Sequence, residues 1–579
     1  MSVYEMRSPS YPFADPLLSN PKAIHGTPTT GDAVYPSRVS SRQYVPAMGE
    51  ERRVFNAEAA AWCTANSPLA RRLKGRHIQM IAVGGSIGTG LFIDSGAALA
   101  AGGPAFLLIA FIILGAVLFC VVQALGELAV TFPVAGSYSA FATRFIDPAW
   151  GFAFSWNYAL QWAFTFPLEI ISAAITLEYW NCPIPSWLAV AIFLAIIVGI
   201  NLFSVKVYGE VEYMFSVLKL AAVIGFIILG VLINCAGTQD SGYIGARYWH
   251  NPGAFNNGFK GFCGMLITAT FSYAGTELVA LGAAETQNPS KTLPTAIKQV
   301  FWRVATLYIA SVMIIGLLIP YNSPKLVLHN SMDPRASPFI IAIRSAGIHG
   351  LDTVMNVVVL ITVLSVANSS MYSASRVFSA LGEQGQAPRF MAYVDQSGRP
   401  LVSIGVVSIF GLSAFLYVTP ICDVAFSWLL AISSLSTIFT WASICYTHIL
   451  FRRAWAYQGL QVSDLIYRSP IGAKGSYAAL VALLLILIAH FWVLISPCSN
   501  ATQKPRERLI KFIGALLAIP LILILYFGYK ICYRTRCVRM NEVDLVTGRN
   551  GWEGELQRRA RIEDRREWPR WKVIYRTLC

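Results

Sequence analysis

Long apolar runs separated by short polar loops fill the middle of this chain, and two polar ends flank them. The runs fall at about 77–100, 105–130, 152–178, 186–205, 211–234, 261–284, 299–320, 350–380, 401–418, 422–450, 476–496 and 509–532. Most reach the roughly 20 residues that cross a bilayer core, so the pattern predicts an all-α polytopic membrane protein with about twelve transmembrane helices. Residues 1–70 read as a disordered tail of interleaved Pro and Ser with a short helix near 50–64. Residues 71–532 form the transmembrane domain, and 533–579 form a second tail. That tail is rich in Arg with Trp552, Trp568 and Trp571 interspersed. An interfacial or docking segment and a solvated tail both fit it.

Two of the spans are interrupted. The first carries Ala82-Val83-Gly84-Gly85-Ser86-Ile87-Gly88-Thr89-Gly90, with four glycines in seven residues at mid-membrane. In lipid every backbone polar group must be satisfied within the protein, so a broken helix survives only where it lines a cavity or a ligand site. The amides that open its second half sit at the positive end of a helix dipole and suit a carboxylate. The sixth span has a similar interruption at Thr270-Phe271-Ser272-Tyr273-Ala274-Gly275-Thr276-Glu277. Broken helices five apart predict a five-plus-five inverted repeat, with spans 11 and 12 peripheral and the substrate site where the breaks meet. Close helix packing through small residues would also use glycines, but four of them with two hydroxyls exceed what packing requires.

The chemistry expected at such a site is that of a zwitterion. Amides of Ser86, Ile87, Gly88 and Thr89 would cradle a carboxylate, and carbonyls of Ala82, Val83, Phe271 and Ser272 would take an ammonium. The second break also contributes Tyr273 and Ala274. Phe271 and Tyr273, with Trp428 of span 10, are candidates to close over a substrate side chain. Ionisable residues at membrane depth cost about 2.5–3.5 kcal/mol and need a partner or a cavity. Lys219, Glu169 and Glu277 are therefore candidates for proton coupling, with Ser365, Asn368 and Ser369 as polar company for Lys219. Glu127 reads as part of a structural network. Glu285 with Arg71, Lys74 or Arg303 would form a gate at the loop end.

Composition supports this picture. The chain is 55% hydrophobic and 13% charged, against roughly 25% charged in soluble domains. Its net charge of +15 follows the positive-inside asymmetry of an even number of spans with both tails cytoplasmic. It points to membrane lipids rather than nucleic acid. The N-terminal stretch has no apolar h-region, so the first span directs insertion. The eleven Cys show no CxxC and no metal-ligand spacing, and Cys182 with Cys498 could pair in exofacial loops. The seven His are scattered, so no metal, cofactor or enzyme chemistry is expected. A P-loop is excluded because no Gly-Lys-Ser/Thr follows the glycine run.

Several segments resemble the fungal amino acid permeases of the amino acid–polyamine–organocation superfamily. They are Arg71-Arg72-Leu73-Lys74 through Gly90, Gly126-Glu127-Leu128 with Pro133-Val134-Ala135-Gly136-Ser137, and Trp156-Asn157-Tyr158 with Pro167-Leu168-Glu169. Phe271 to Glu277, Glu285, Lys298-Gln299-Val300-Phe301-Trp302-Arg303, Ser427-Trp428-Leu429 and His448 complete the set. The likeness covers about residues 70–579 and is strongest to the general, broad-range members. It implies proton-coupled amino acid import across the plasma membrane by alternating access. Lys219 matches the lysine that stands where related carriers bind sodium. The likeness also makes Lys22 a candidate for ubiquitin ligase machinery and Cys579 a candidate for palmitoylation. An amino acid sensor, or a permease restricted to basic amino acids or proline, are the alternatives.

Overall fold

The computed structural model describes residues 55–180, 183–237, 242–327, 337–348, 350–419, 422–495 and 512–550. Lys22, Cys182, Cys498, Trp552, Trp568, Trp571 and Cys579 lie outside them. Among the described residues nine stretches are long and apolar enough to cross a membrane, and two shorter apolar helices accompany them. The first stretch, Gly75–Thr131, breaks at Gly103 (φ 83°, ψ 170°) just before Pro104 and therefore holds two spans. That recovers the twelve expected helices.

We label them in chain order. α1 covers 75–102 and α2 covers 103–131; α3 is Pro148–Leu177, α4 Ser186–Leu202 and α5 Val205–Ala236. α6 is Gly258–Glu285, interrupted after Tyr273; α7 is Pro289–Leu318, α8 Leu351–Glu383 and α9 Leu401–Val418. α10 is Cys422–Tyr457, α11 Gly472–Ile495 and α12 Ala518–Tyr533. Starts follow local chemistry: Asp147 caps α3 by accepting from the Ala149 amide at 2.8 Å, with Pro148 in the first turn.

The windows of α3 and of the interrupted α6 are 83% buried against 17% for α11, so α3 and α6 sit inside and α11 faces outward. Between helices in lipid, close packing and interhelical hydrogen bonds replace the hydrophobic drive. The Ser- and Ala-rich stretch of α8 from Ser365 to Ser375 is buried throughout.

Both breaks open where expected. α1 leaves helical geometry at Ile87 (φ −75°, ψ 103°) and resumes through a π-turn at Gly90–Asp94. α6 leaves at Ala274 (φ −57°, ψ 146°), and Gly275 takes a left-handed φ of 95°. The two breaks cross backbone to backbone. A Cβ on Gly275 would lie 2.4 Å from the Gly85 carbonyl oxygen, and one on Gly90 would lie 2.5 Å from Ser272 Cα. Only glycine allows that approach.

At the end of the bundle near the described termini, Leu73 pairs in parallel with the segment after α6. The Leu73 amide donates to the Glu285 carbonyl at 2.9 Å, and the Gln287 amide to the Leu73 carbonyl at 3.1 Å. Residues 534–550 lie along this end. Val538 donates to the Ile146 carbonyl and Asn550 to the Thr131 carbonyl, each at 2.9 Å; Arg144 Nη1 donates to the Thr547 carbonyl at 2.9 Å. Asp147 accepts from Lys530 and, at 2.8 Å, from Thr535. A docked segment, rather than a solvated one, therefore describes the first part of the C-terminal tail. The described part of the N-terminal tail includes one helix, Ala57–Ala65, capped by Asn56.

Candidate functional site

Breaking α1 orphans carbonyls at the end of its first half and amides at the start of its second. The carbonyls are met by a lysine. Lys219 Nζ of α5, fully buried, donates to the Gly84 carbonyl at 2.6 Å and the Ile87 carbonyl at 3.0 Å. Both acceptors are on α1 and neither is on α8. α8 instead meets a carboxylate two helical turns before Lys219 on the same face of α5. Glu212, also fully buried, accepts from the Ser365 hydroxyl and from Asn368 Nδ2 at 3.0 Å. Asn201 of α4 donates to Asn368 Oδ1 at 2.8 Å and extends the network. A Cβ on Gly84 would fall 2.0 Å from the Glu212 carboxylate, so α1 rests on this pair. Each charge thus has hydrogen-bond partners of its own in a medium of low dielectric.

Next to the crossing is a small cavity. Gly85, Ser86, Gly88, Thr89 and Gly90 of α1 form one wall. Gln161, Trp162, Thr165 and Glu169 of α3 form the second, and Phe271 and Ala274 of α6 with Val366 of α8 complete it. Thr89 Oγ1 donates to Glu169 Oε1 at 2.8 Å, while Glu169 Oε2 has no hydrogen-bond partner among the described residues. α3 is held in register by α10: Gln161 Nε2 donates to Thr437 at 2.9 Å, and Thr165 to Ser433 at 3.0 Å. The cavity is thus lined by the residues that open the second half of α1, by Glu169 with one carboxylate oxygen lacking a donor among the described residues, and by the apolar side chains of Trp162, Phe271 and Val366.

The expected residues divide around it. Ser86, Gly88, Thr89, Phe271, Ala274 and Glu169 line the cavity, whereas Ala82, Val83, Ile87, Ser272 and Tyr273 do not. The Val83 carbonyl already accepts from the Ile87 amide and the Ser86 hydroxyl, each at 3.1 Å. Tyr273 donates to the Phe111 carbonyl at 3.1 Å and stacks on Tyr308. It supports the wall rather than closing over the space. Glu277 Oε2 accepts from the Gly275 amide at 3.1 Å and Trp441 Nε1 at 3.5 Å, at the start of the second half of α6. Trp428 packs on Gly514 and does not line the cavity.

Glu285, the candidate gate residue, finds its partners on α8. It accepts from the Tyr372 hydroxyl and lies 3.5 Å from Arg376 Nε, both on α8, with Tyr208 stacked on Tyr372 at 4.2 Å. Arg71 and Lys74 are exposed, and the Arg303 side chain is outside the described residues. The difference follows from burial: Glu285 sits at 1% exposure, where only another inward side chain can reach it. Glu127 forms the expected structural network, with His448 at 3.1 Å, Arg452 at 2.5 Å and the Ser469 amide at 2.8 Å.

Three contributions escape a reading of the apolar runs. Gln161 and Thr165 stand eight and four residues before the expected Glu169 and complete a polar stripe on one face of an apolar helix, which the spacing does reveal. Glu212 stands seven residues before Lys219 but falls at the very start of its apolar run. Tyr308 carries no signal of its own.

The amino acid permease family profile matches residues 77–542. The general amino-acid permease GAP2 of Candida albicans is 45% identical over 538 residues, covering 92% of this chain and 91% of the relative. The general amino-acid permease GAP1 of Saccharomyces cerevisiae is 44% identical over 575 residues, covering 97% and 94%. Cationic amino acid transporter 1 of Schizosaccharomyces pombe is 46% identical over 493 residues, covering 84% and 82%. With crossed broken helices, a cavity between them and this breadth of match, the chain belongs to the amino acid permease family.

Proposed function

We propose that this protein imports amino acids across the plasma membrane together with protons, over a broad substrate range, with both tails in the cytoplasm. The observation that carries the reading is the cavity at the crossed breaks, lined by the residues that open the second half of α1, by Glu169 with one carboxylate oxygen free of a partner among the described residues, and by apolar side chains. A zwitterion needs that pairing. Its carboxylate takes the amides opening the second half of α1, its ammonium takes Glu169 Oε2, and its side chain packs against Phe271, Trp162 and Val366. The ammonium acceptor is thus a carboxylate, in place of the carbonyls of Ala82 and Val83.

Lys219 carries the coupled proton on this reading. Charged, it ties α5 to the first half of α1 through Gly84 and Ile87; neutral, it has one lone pair to present and fewer donors to hold that end. Separation of Glu285 from Tyr372 and Arg376 opens the path to the cytosol. No covalent step is involved.

The test is uptake of labelled amino acids, including lysine, arginine and proline, into permease-deficient fungal cells at acid and neutral external pH, with and without a protonophore. Uptake of many neutral amino acids that rises at acid pH and collapses with the protonophore is the expected result. Uptake of lysine and arginine alone would align the chain with its cationic relative. No uptake at normal surface abundance would favour a sensor.

A further inference from the structure

Tyr308 of α7 has one phenolic proton and two carbonyl acceptors. Its hydroxyl oxygen is 2.7 Å from the Ser86 carbonyl of α1 and 2.7 Å from the Ser272 carbonyl of α6. These carbonyls occupy matching places, each close before the point where its helix unwinds, and the breaks leave such carbonyls short of intrahelical donors. One side-chain atom thus joins the two breaks. The ring is fixed from behind. It is fully buried and stacks on Tyr273 at 4.8 Å and on Phe111 at 6.0 Å between centroids. Tyr273 is itself anchored to the Phe111 carbonyl.

We propose that Tyr308 is a positioning residue for substrate: it pins the break of α1 to the break of α6, so that main-chain groups from both helices meet one amino acid at a fixed separation. The inference rests on the reading above, in which substrate binds at the crossing. The phenol is not part of the cavity lining and acts through Ser86, which lines it, and Ser272, whose neighbour Phe271 does. A single proton serves one carbonyl at a time. The hydroxyl therefore tethers both breaks without locking either, which suits helices that have to separate during transport. Without it, two buried carbonyl oxygens converge on an apolar ring edge with no donor between them, and an unsatisfied buried acceptor is unfavourable. The breaks then drift apart, and a site built to within about half an ångström loses affinity before it loses turnover.

The experiment compares the full-length chain with Tyr308→Phe in permease-deficient fungal cells. The probe is the labelled amino acid that the unmodified chain imports fastest, and surface abundance, KM and maximal rate are measured together. Tyr467→Phe serves as control, because it removes another buried phenol, the donor to Gln123, away from the crossing. Expected is a KM raised at least tenfold in Tyr308→Phe with the maximal rate per surface molecule changed less than threefold, and a KM within twofold of the parent in Tyr467→Phe. If Tyr308→Phe does not reach the surface, Tyr308→His takes its place, since its shorter ring is polar but stops short of the two carbonyls, and the same rise in KM is required of it. An unchanged KM at normal abundance, or a fall confined to the maximal rate, overturns the inference. Absence of uptake by the unmodified chain overturns the functional reading instead.

Discussion

Replacing Lys219 with Met tests the coupling mechanism at its centre. The thioether chain fills the volume of the lysine stem but removes the donor to Gly84 and Ile87. Hydrogen bonds from a charged donor contribute about 1.5–3 kcal/mol each, so the two together hold α5 to the α1 break by about 3–6 kcal/mol. The substitution also leaves Glu212 and Glu169 without the ammonium that lies among them. A loss of about 3 kcal/mol corresponds to roughly a hundredfold in an equilibrium. We therefore expect initial uptake at acid external pH to fall about a hundredfold per surface molecule. The ratio of acid to neutral rates should fall to one, because the group that carries the proton is gone. The assay is initial-rate uptake in permease-deficient cells at both pH values, normalised to surface abundance from a fluorescent tag. A variant at normal abundance that keeps the parental acid-to-neutral ratio would refute the role of Lys219.

Other substitutions probe the crossing and the end of the bundle near the termini. Gly275→Ala forces a Cβ to within 2.4 Å of the Gly85 carbonyl at a φ of 95°, where the left-handed backbone alone costs about 1–2 kcal/mol. It should lower the melting temperature in detergent by several degrees and abolish uptake, and a parental melt would contradict the backbone crossing. Glu285→Gln weakens the contact with Tyr372 and Arg376 by about 1.5 kcal/mol or more. Labelling of an introduced Ala284→Cys in inverted vesicles should then quicken about tenfold, and an equal rate would remove Glu285 from the gate. Asp147→Asn keeps a good cap for α3 but loses the charge facing Lys530. Trypsin should cut after Arg534, Arg536 or Arg539 faster while KM stays put; unchanged cleavage would mean that Asp147 does not hold the docked segment.

The twelve helices and both interruptions could be read from the sequence because hydropathy and glycine runs act locally, one segment at a time. What surrounds the breaks could not, since it depends on which helix lies opposite. Phe271 and Tyr273 show the limit. They stand two residues apart in one short motif, yet Phe271 lines the cavity and Tyr273 turns to the Phe111 carbonyl. Both lie in the last turn of the helix, where two positions apart means opposite faces, but which face meets the cavity depends on the helices around it. Trp428 shows the same from another direction: its helix was placed correctly, but Gly514 on the approach to α12 offers a concave seat for the indole. Glu212 was hidden by its position at the edge of an apolar run, although burial makes it as much a membrane-depth charge as Lys219.

Donor and acceptor counts narrow how substrate and proton can share this site. The protein meets break carbonyls with its own donors, Lys219 at Gly84 and Ile87 and Tyr308 at Ser86 and Ser272. The Val83 carbonyl is taken by α1 itself. An incoming ammonium is left with Glu169 Oε2 as its strongest acceptor, since Oε1 is engaged by Thr89. A protonated carboxyl would present a donor or a neutral oxygen there and bind an ammonium poorly. On the proposed reading the proton therefore cannot rest on Glu169 while substrate is bound. Lys219 is bonded directly to the α1 carbonyls of Gly84 and Ile87, and on this reading its proton holds the same half-helix whose continuation receives the substrate carboxylate. Binding and protonation then act on one mobile element from its two sides, which ties the proton to the substrate without any direct contact between them.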